Sequence, residues 1–165
     1  MKKENKEKIY VFIDSQNLNL GVKSLGWNLD FKKFYILLKT RFKASKIYLF
    51  IGFINGNQSL YTKLQEDGYI LVFRPTLEYK KGSKKIVKGN VDSELVLHSM
   101  IEYQNYDKAI IVSSDGDFYC LIEYLEKNKK LKNIIMPNPK KYSSLLRVFR
   151  EYFIYLNELK NILKE

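Results

Sequence analysis

Short runs of β-branched and aromatic residues alternate along this chain with stretches of helical spacing: KIYVFI at 8–13, KIYLFIGF at 46–53, YILVF at 69–73 and KAIIVS at 108–113. Each run is apolar nearly throughout. Strands of that kind are buried on both faces, as in a parallel sheet. Consecutive parallel strands need a crossover, usually a helix, and the crossover is right-handed. The pattern therefore predicts an α/β domain with helices on both faces of a mainly parallel sheet. The carboxyl ends of its strands share one edge, where ligands bind in such sheets.

The intervening segments fit that plan. Asp30 is placed to cap a helix over FKKFYILLKTRF, in which Phe31, Phe34, Tyr35, Leu37 and Leu38 recur at helical spacing. Asn57 to Asp67 reads as a helix stopped by Gly68. Val91 to Tyr103 and Phe118 to Lys129 read as two more. A short fifth strand is predicted at Asn133–Met136, helical structure at Tyr142–Arg150, an edge strand at Tyr152–Leu156 and a closing helix over ELKNILKE. Leu77 to Asn90 lacks periodicity and reads as a basic loop or short hairpin. A length of 165 residues suits one domain, here 9–165, preceded by a flexible charged arm at 1–8.

Charge and cysteine usage narrow the function. With 29 basic and 18 acidic residues the net charge is +11, which favours a polyanionic partner. Cys120 is the one cysteine and His98 the one histidine, so an intramolecular disulfide is excluded and a Cys/His zinc site disfavoured. No apolar run reaches the length of a membrane span, and the cytoplasm is the expected compartment.

Four aspartates stand where strands end or helices begin. Asp14 closes the first run, Asp115 and Asp117 follow the fourth, and Asp92 opens a helix after the turn VKGNV. Each has a purely local role open to it: Asp14 capping a turn, Asp115 and Asp117 forming a turn or helix cap, Asp92 favouring a helix dipole. Together they fall on the ligand-binding edge. Clustered carboxylates repel one another unless a cation joins them, and Mg²⁺ or Mn²⁺ prefers oxygen ligands. An acidic metal site in a basic protein points to a nuclease.

Three motifs carry a resemblance. Asp14-Ser15-Gln16-Asn17 follows a strand as D-x-x-N, Lys88 to Asp92 reads K-G-N-V-D at a helix start, and Ser113 to Phe118 reads S-S-D-G-D-F after another strand. In order and spacing the chain, from about Tyr10 to Leu156, resembles the NYN domain family, the LabA-like branch of the PIN-like nuclease superfamily. The resemblance implies a three-layer α/β/α sandwich of PIN-like type and a metal-dependent endoribonuclease. On that analogy Asp14, Asp92, Asp115 and Asp117 are the catalytic, metal-holding acids. Asn17 and Ser113 match polar positions that orient the acids or the substrate. Ser114 stands where glycine is usual, and His98 where relatives often carry another acid; the helical rotation of 100° per residue turns His98 away from Asp92.

The preference for RNA over DNA comes from the resemblance. Single-stranded or looped RNA fits best, because unstacked strands can enter a carboxylate cleft. Lys80, Lys81, Lys84, Lys85, Lys88 and Arg74 are the expected phosphate-binding residues, with Lys140, Lys141 and Arg147 as a further patch. Tyr79 and Tyr142 are candidates to stack on bases. Water attack in line would leave 5′-phosphate and 3′-hydroxyl ends. The alternatives are an RNA-binding regulatory module without productive metal geometry, a small-molecule phosphatase, for which the first strand lacks D-x-D-x-[TV], and an interaction module in which the closing helix (Leu156, Leu159, Ile162, Leu163) forms a homodimer face rather than packing into the core.

Overall fold

The computed structural model describes residues 6–88 and 91–165, without the side chains of residues 78 and 85–88. Its eight strands are β1 (Ile9–Asp14), β2 (Lys46–Phe53), β3 (Ile70–Pro75), β4 (Leu77–Lys81), β5 (Lys84–Lys88), β6 (Lys108–Val112), β7 (Leu131–Met136) and β8 (Phe153–Tyr155). The helices are α1 (Ser15–Lys23), α2 (Phe31–Thr40), α3 (Gln58–Asp67), α4 (Asp92–Ile101), α5 (Tyr119–Lys127) and α6 (Lys160–Leu163). Six strands form one sheet in the order β3-β2-β1-β6-β7-β8. Every pairing in it is parallel. The chain works outward from β1 to β3, returns to lay β6 on the other side of β1, then works outward again. The order reverses between β1 and β6, and a crevice opens at such a switch point.

Strand alternation divides the core into two faces. Ile9, Val11 and Ile13 of β1 pack with Leu18 and Val22 of α1, Phe34 and Leu38 of α2, Leu64 of α3 and Leu163 of α6. Tyr10 and Phe12 point the other way, into a cluster with Leu95 of α4 and Leu121, Ile122 and Leu125 of α5. All six residues of β1 are buried, which explains its unbroken apolar run. Two helical layers thus enclose the sheet, giving the three-layer α/β/α arrangement.

The boundaries have local causes. The Asp30 carboxylate accepts from the Lys33 amide at 3.0 Å and starts α2. Gly68, at φ 112°, ends α3 in the left-handed region that side chains avoid. The segment at 77–88 resolves as a hairpin: β4 and β5 pair antiparallel from Leu77↔Lys88 to Lys81↔Lys84. Its turn begins at Gly82, whose φ of 66° has the sign that tight hairpin turns require.

Three expectations need correction. Residues 15–23, where no element is expected from the sequence pattern, form α1, capped by Asp14. The helical structure near Tyr142–Arg150 consists of 3-10 turns over Ser144–Tyr152, broken at Phe149 by φ −100° and ψ 18°. The closing segment splits into a 3-10 turn at Leu156–Leu159 and the short α6. There Leu156 and Leu163 are buried in the core, while Ile162 is exposed. At the amino terminus Lys8 is tied down, its amide donating to Asp107 at 2.7 Å, and Glu7 pairs with Lys132 at 3.2 Å. Residues 1–5 of the arm expected at 1–8, Gly89 and Asn90 of the second motif, and the side chains of Lys85 and Lys88 lie outside the described residues. No helix among the described residues is long and apolar enough to cross a membrane.

Candidate metal centre and its cleft

Parallel register carries the first two acids to one place. Ile13 pairs with Val112, so the next residues, Asp14 and Ser113, emerge side by side at the carboxyl ends of β1 and β6. The Ser113 hydroxyl donates to Asp14 Oδ2 at 3.4 Å and accepts from the Asp115 amide at 3.2 Å. One buried serine thereby joins Asp14 to the loop carrying Asp115 and Asp117. Asn17 makes a second link: its Oδ1 accepts from the Ser114 amide at 2.9 Å and the Ser114 hydroxyl at 3.0 Å. Asn17 is in turn fixed by its own amide, which donates to Asp14 Oδ1 at 3.1 Å.

Ser114 does not strain the backbone. Among the described residues the non-glycine residues at positive φ are Lys43 and Lys129, so position 114 has no need of glycine. Its hydroxyl instead adds a bond to Asn17 that glycine lacks. The close-packed glycine is the next one but one. A Cβ at Gly116 would collide with the Ser143 hydroxyl and lie 2.9 Å from Ser143 Cβ. Behind this loop Phe118 is fully buried, anchoring the 3-10 turn Gly116–Phe118. Asp115 caps that turn by accepting from the Asp117 amide at 2.9 Å.

Asp92 arrives from the other side, in the first turn of α4. Val91 before it and Leu95 after it are buried, which fixes that end of the helix against the sheet. Carboxylate oxygens of Asp92, Asp115 and Asp117 lie within 4.8 Å of one another. They line a cleft of about 650 Å³ together with Asp14, Asn17, Ser114 and Lys141. The donor set is all hard oxygen, with Asp92 and Asp115 half-buried and Asp117 exposed, and suits a divalent cation that keeps part of its water shell. Asp14 sits deepest and is 5% exposed. Burial, and then the charges of Asp92 and Asp115, push its carboxyl up to about 6, against the lowering effect of the Asn17 amide and the Ser113 hydroxyl.

The other candidates spread further. Arg74 Nη1 donates to Glu94 at 3.1 Å, so β3 is braced against the first turn of α4. Lys80, Lys81 and Lys84 are exposed on the hairpin, as is Tyr79. Tyr142 packs edge-on against Phe153 at 5.4 Å. The His98 ring lies 5.7 Å from Phe50, edge to face, and is half-buried there.

Sequence reasoning missed the role of α1 as one wall of the cleft, through Gln16, Leu20, Gly21 and Ser24. Its signal was present but weak: Leu18 and Val22 at helical spacing after an Asp cap, in an otherwise polar segment interrupted by glycine. It also gave Lys141 no closer tie to the acids than Lys140 and Arg147. The segment after β7 brings Lys141 to the cleft through contacts distant in sequence, including the Ser143 amide donating to the Ser114 carbonyl at 3.0 Å.

The family described as "NYN domain" matches residues 8–157. Low amplitude and bright protein LabA of Synechococcus elongatus is 21% identical, over 96% of this chain and 88% of that protein. The crystal structure of VPA0982, a protein of unknown function from Vibrio parahaemolyticus, superposes with a TM-score of 0.80 at 22% identity, covering 100% of both chains. That likeness establishes the shared fold.

Proposed function

This chain belongs to the NYN domain family, and we propose that it is a metal-dependent endoribonuclease acting on single-stranded or looped RNA. The observation that carries the reading is the convergence of Asp92, Asp115 and Asp117 within 4.8 Å at the switch point of the sheet. Mg²⁺ or Mn²⁺ is the cofactor these oxygens fit, with Asp14 as the fourth carboxylate of the set. Once bound, such an ion neutralises phosphate charge and acidifies water.

The chain's own residues do the rest. Ser113 and Asn17 hold the acids in register by the bonds described above. With its carboxyl at about 6, Asp14 is mostly ionised at neutral pH, and its charge, strained by burial and by Asp92 and Asp115, is available to a cation. Lys141 lines the cleft and offers charge to a phosphate beside the scissile one. Lys80, Lys81 and Lys84 of the hairpin, with Lys85 and Lys88 assigned from sequence alone, hold the strand on either side. Arg74 contributes by steadying the end of α4 through Glu94. The product ends are 5′-phosphate and 3′-hydroxyl, because the one histidine packs on Phe50 and no histidine pair is present to drive attack by the 2′-hydroxyl.

The test is incubation of a labelled single-stranded RNA with the protein in Mn²⁺, Mg²⁺ or EDTA, beside Asp14→Asn and Asp115→Asn. Cleavage that needs the metal and vanishes in both variants is expected, and 2′,3′-cyclic phosphate ends would overturn the mechanism. One observation favours a second reading, a regulatory RNA-binding module: His98, where the family resemblance leads one to look for a further acid, lies against Phe50 instead. That reading requires RNA to bind in EDTA and to remain intact in every metal.

A further inference from the structure

A second cavity, of about 560 Å³, adjoins the acidic cleft on the α1 side of the sheet. The two share Gln16 and Val91 in their walls. Helix α1 is the partition: Leu20, Gly21 and Ser24 face the acids, while Asn19 and Lys23 face the second cavity. Across from α1 stand Leu60 and Leu64 of α3, with Leu49 and Ile51 of β2 between them. This cavity therefore also opens at the carboxyl edge of the sheet, above the ends of β1 and β2.

Its lining is mixed in a particular way. The walls are aliphatic, but the amides of Gln16, Asn19 and Asn28 are set among them. No hydrogen bond among the described residues engages the side chains of Gln16 or Asn19. Gln16 and Asn28 are exposed at the rim and Asn19 is half-buried, so a purely apolar ligand would leave the Asn19 amide covered and unpaired, at a cost of about 1–3 kcal/mol. A phosphate inside the cavity would meet the Glu165 carboxylate as well as the Lys23 ammonium, both of which line it, whereas a neutral group avoids that repulsion. A nucleobase satisfies both constraints, with apolar faces for the leucines and a donor–acceptor edge for the amides.

We propose that this cavity receives one unstacked nucleobase of the RNA strand whose phosphate lies at Asp92, Asp115 and Asp117. The proposal rests on the nuclease reading above and deepens it. A strand crossing the acidic cleft passes Gln16, one of the two residues common to both walls, and turns one base inward beside it. Lys23 meets the phosphate next to that base. The protein then selects unpaired RNA, because a base held in a duplex cannot enter.

Binding in EDTA separates this claim from cleavage. The probes are a fluorescein-labelled RNA decanucleotide and a strand of the same length in which every base is replaced by an abasic site, read by anisotropy. Leu60→Trp fills the cavity from its exposed rim. It is expected to weaken binding of the intact strand about tenfold and to leave the abasic strand unchanged. Asn19→Ala, a smaller change read in the same way, should weaken the intact strand alone by a few-fold; it serves if Leu60→Trp fails to melt like the wild type. Equal losses on both strands, no loss on either, or a wild-type protein that binds both strands equally would overturn the proposal. Base-dependent binding without cleavage in any metal would leave the cavity assignment standing and refute the nuclease. Cleavage without base-dependent binding would do the reverse.

Discussion

The acidic cleft and the basic hairpin carry opposite charge and are built on opposite principles. Three of the four acids in the cleft are held by something independent of the proposed function. Asp14 ends a fully buried strand and caps α1, Asp115 caps a 3-10 turn, and Asp92 opens a helix pinned by Val91 and Leu95. The hairpin forms its own two-stranded sheet, separate from the six-stranded one, with Lys80, Lys81 and Lys84 exposed. The proposed cleavage would need oxygens placed within about 0.5 Å, and acids anchored to the core suit that demand. Phosphate attraction acts over a Debye length and tolerates a loosely placed charge.

If the contrast holds, the largest effect comes from the cleft. Asp115→Asn should lower the cleavage rate by at least about 100-fold while RNA binding in EDTA is kept, as single-turnover assays and anisotropy would show. An Asp115→Asn protein that cuts at the wild-type rate would dissolve the distinction.

Asp14 sharpens it through stability. Its carboxyl sits at about 6 in the folded metal-free protein, against 3.8 as the ordinary value. A raised acid stabilises the fold where it is protonated, below about 4, and that contribution is lost as pH rises through 6. Ionised Asp14 therefore costs the metal-free fold up to about 3 kcal/mol at pH 7. Asp14→Asn should raise stability by that order in EDTA at pH 7, with the gain fading between pH 6 and pH 4, while abolishing cleavage. Urea denaturation at both pH values checks it; an unchanged midpoint at pH 7 would mean the cleft does not strain this acid.

Gly116→Ala places a methyl group against Ser143 and must displace either the acid loop or its neighbour. A roughly tenfold loss of Mn²⁺ affinity is expected, measured by titration calorimetry. The smallest effect belongs to the hairpin. Replacing Lys80, Lys81 and Lys84 together by alanine should reduce the slope of log affinity against log salt by about 2. The single-turnover rate of bound RNA should stay within about twofold. A large loss of that rate would show that the hairpin positions the substrate as closely as the cleft does.

The same contrast governed what the sequence could tell. The run at 46–53 matched β2 to the residue, because a strand buried in a parallel sheet leaves an unbroken apolar signature. Asp30 and Gly68 marked helix ends because their caps are local. The candidate acids were legible for a related reason: a strand end, a helix start and a turn are all visible locally. Their humbler local readings also hold in the structure. Asp14 and Asp115 do act as caps, and the caps are what aim them. The rest depended on residues far apart in sequence. That Asn17 would spend its carbonyl on Ser114, that Lys141 would reach the cleft, and that α1 would divide two cavities follow from register and packing. Over 77–90 the sequence leaves hairpin and loop open, because lysines along both strands hide the alternation that marks a half-buried pair.

RNA cleavage by the acidic cleft once it holds a divalent cation is the activity proposed for this protein. Its most direct test is the single-turnover cleavage rate of a labelled single-stranded RNA as Mn²⁺ is raised from zero, in the wild type and in Asp115→Asn. The rate should saturate with Mn²⁺ in the wild type and stay near background in the variant at every concentration. A wild type that binds the RNA but cuts nothing, or a variant whose curve overlies the wild type's, would contradict it.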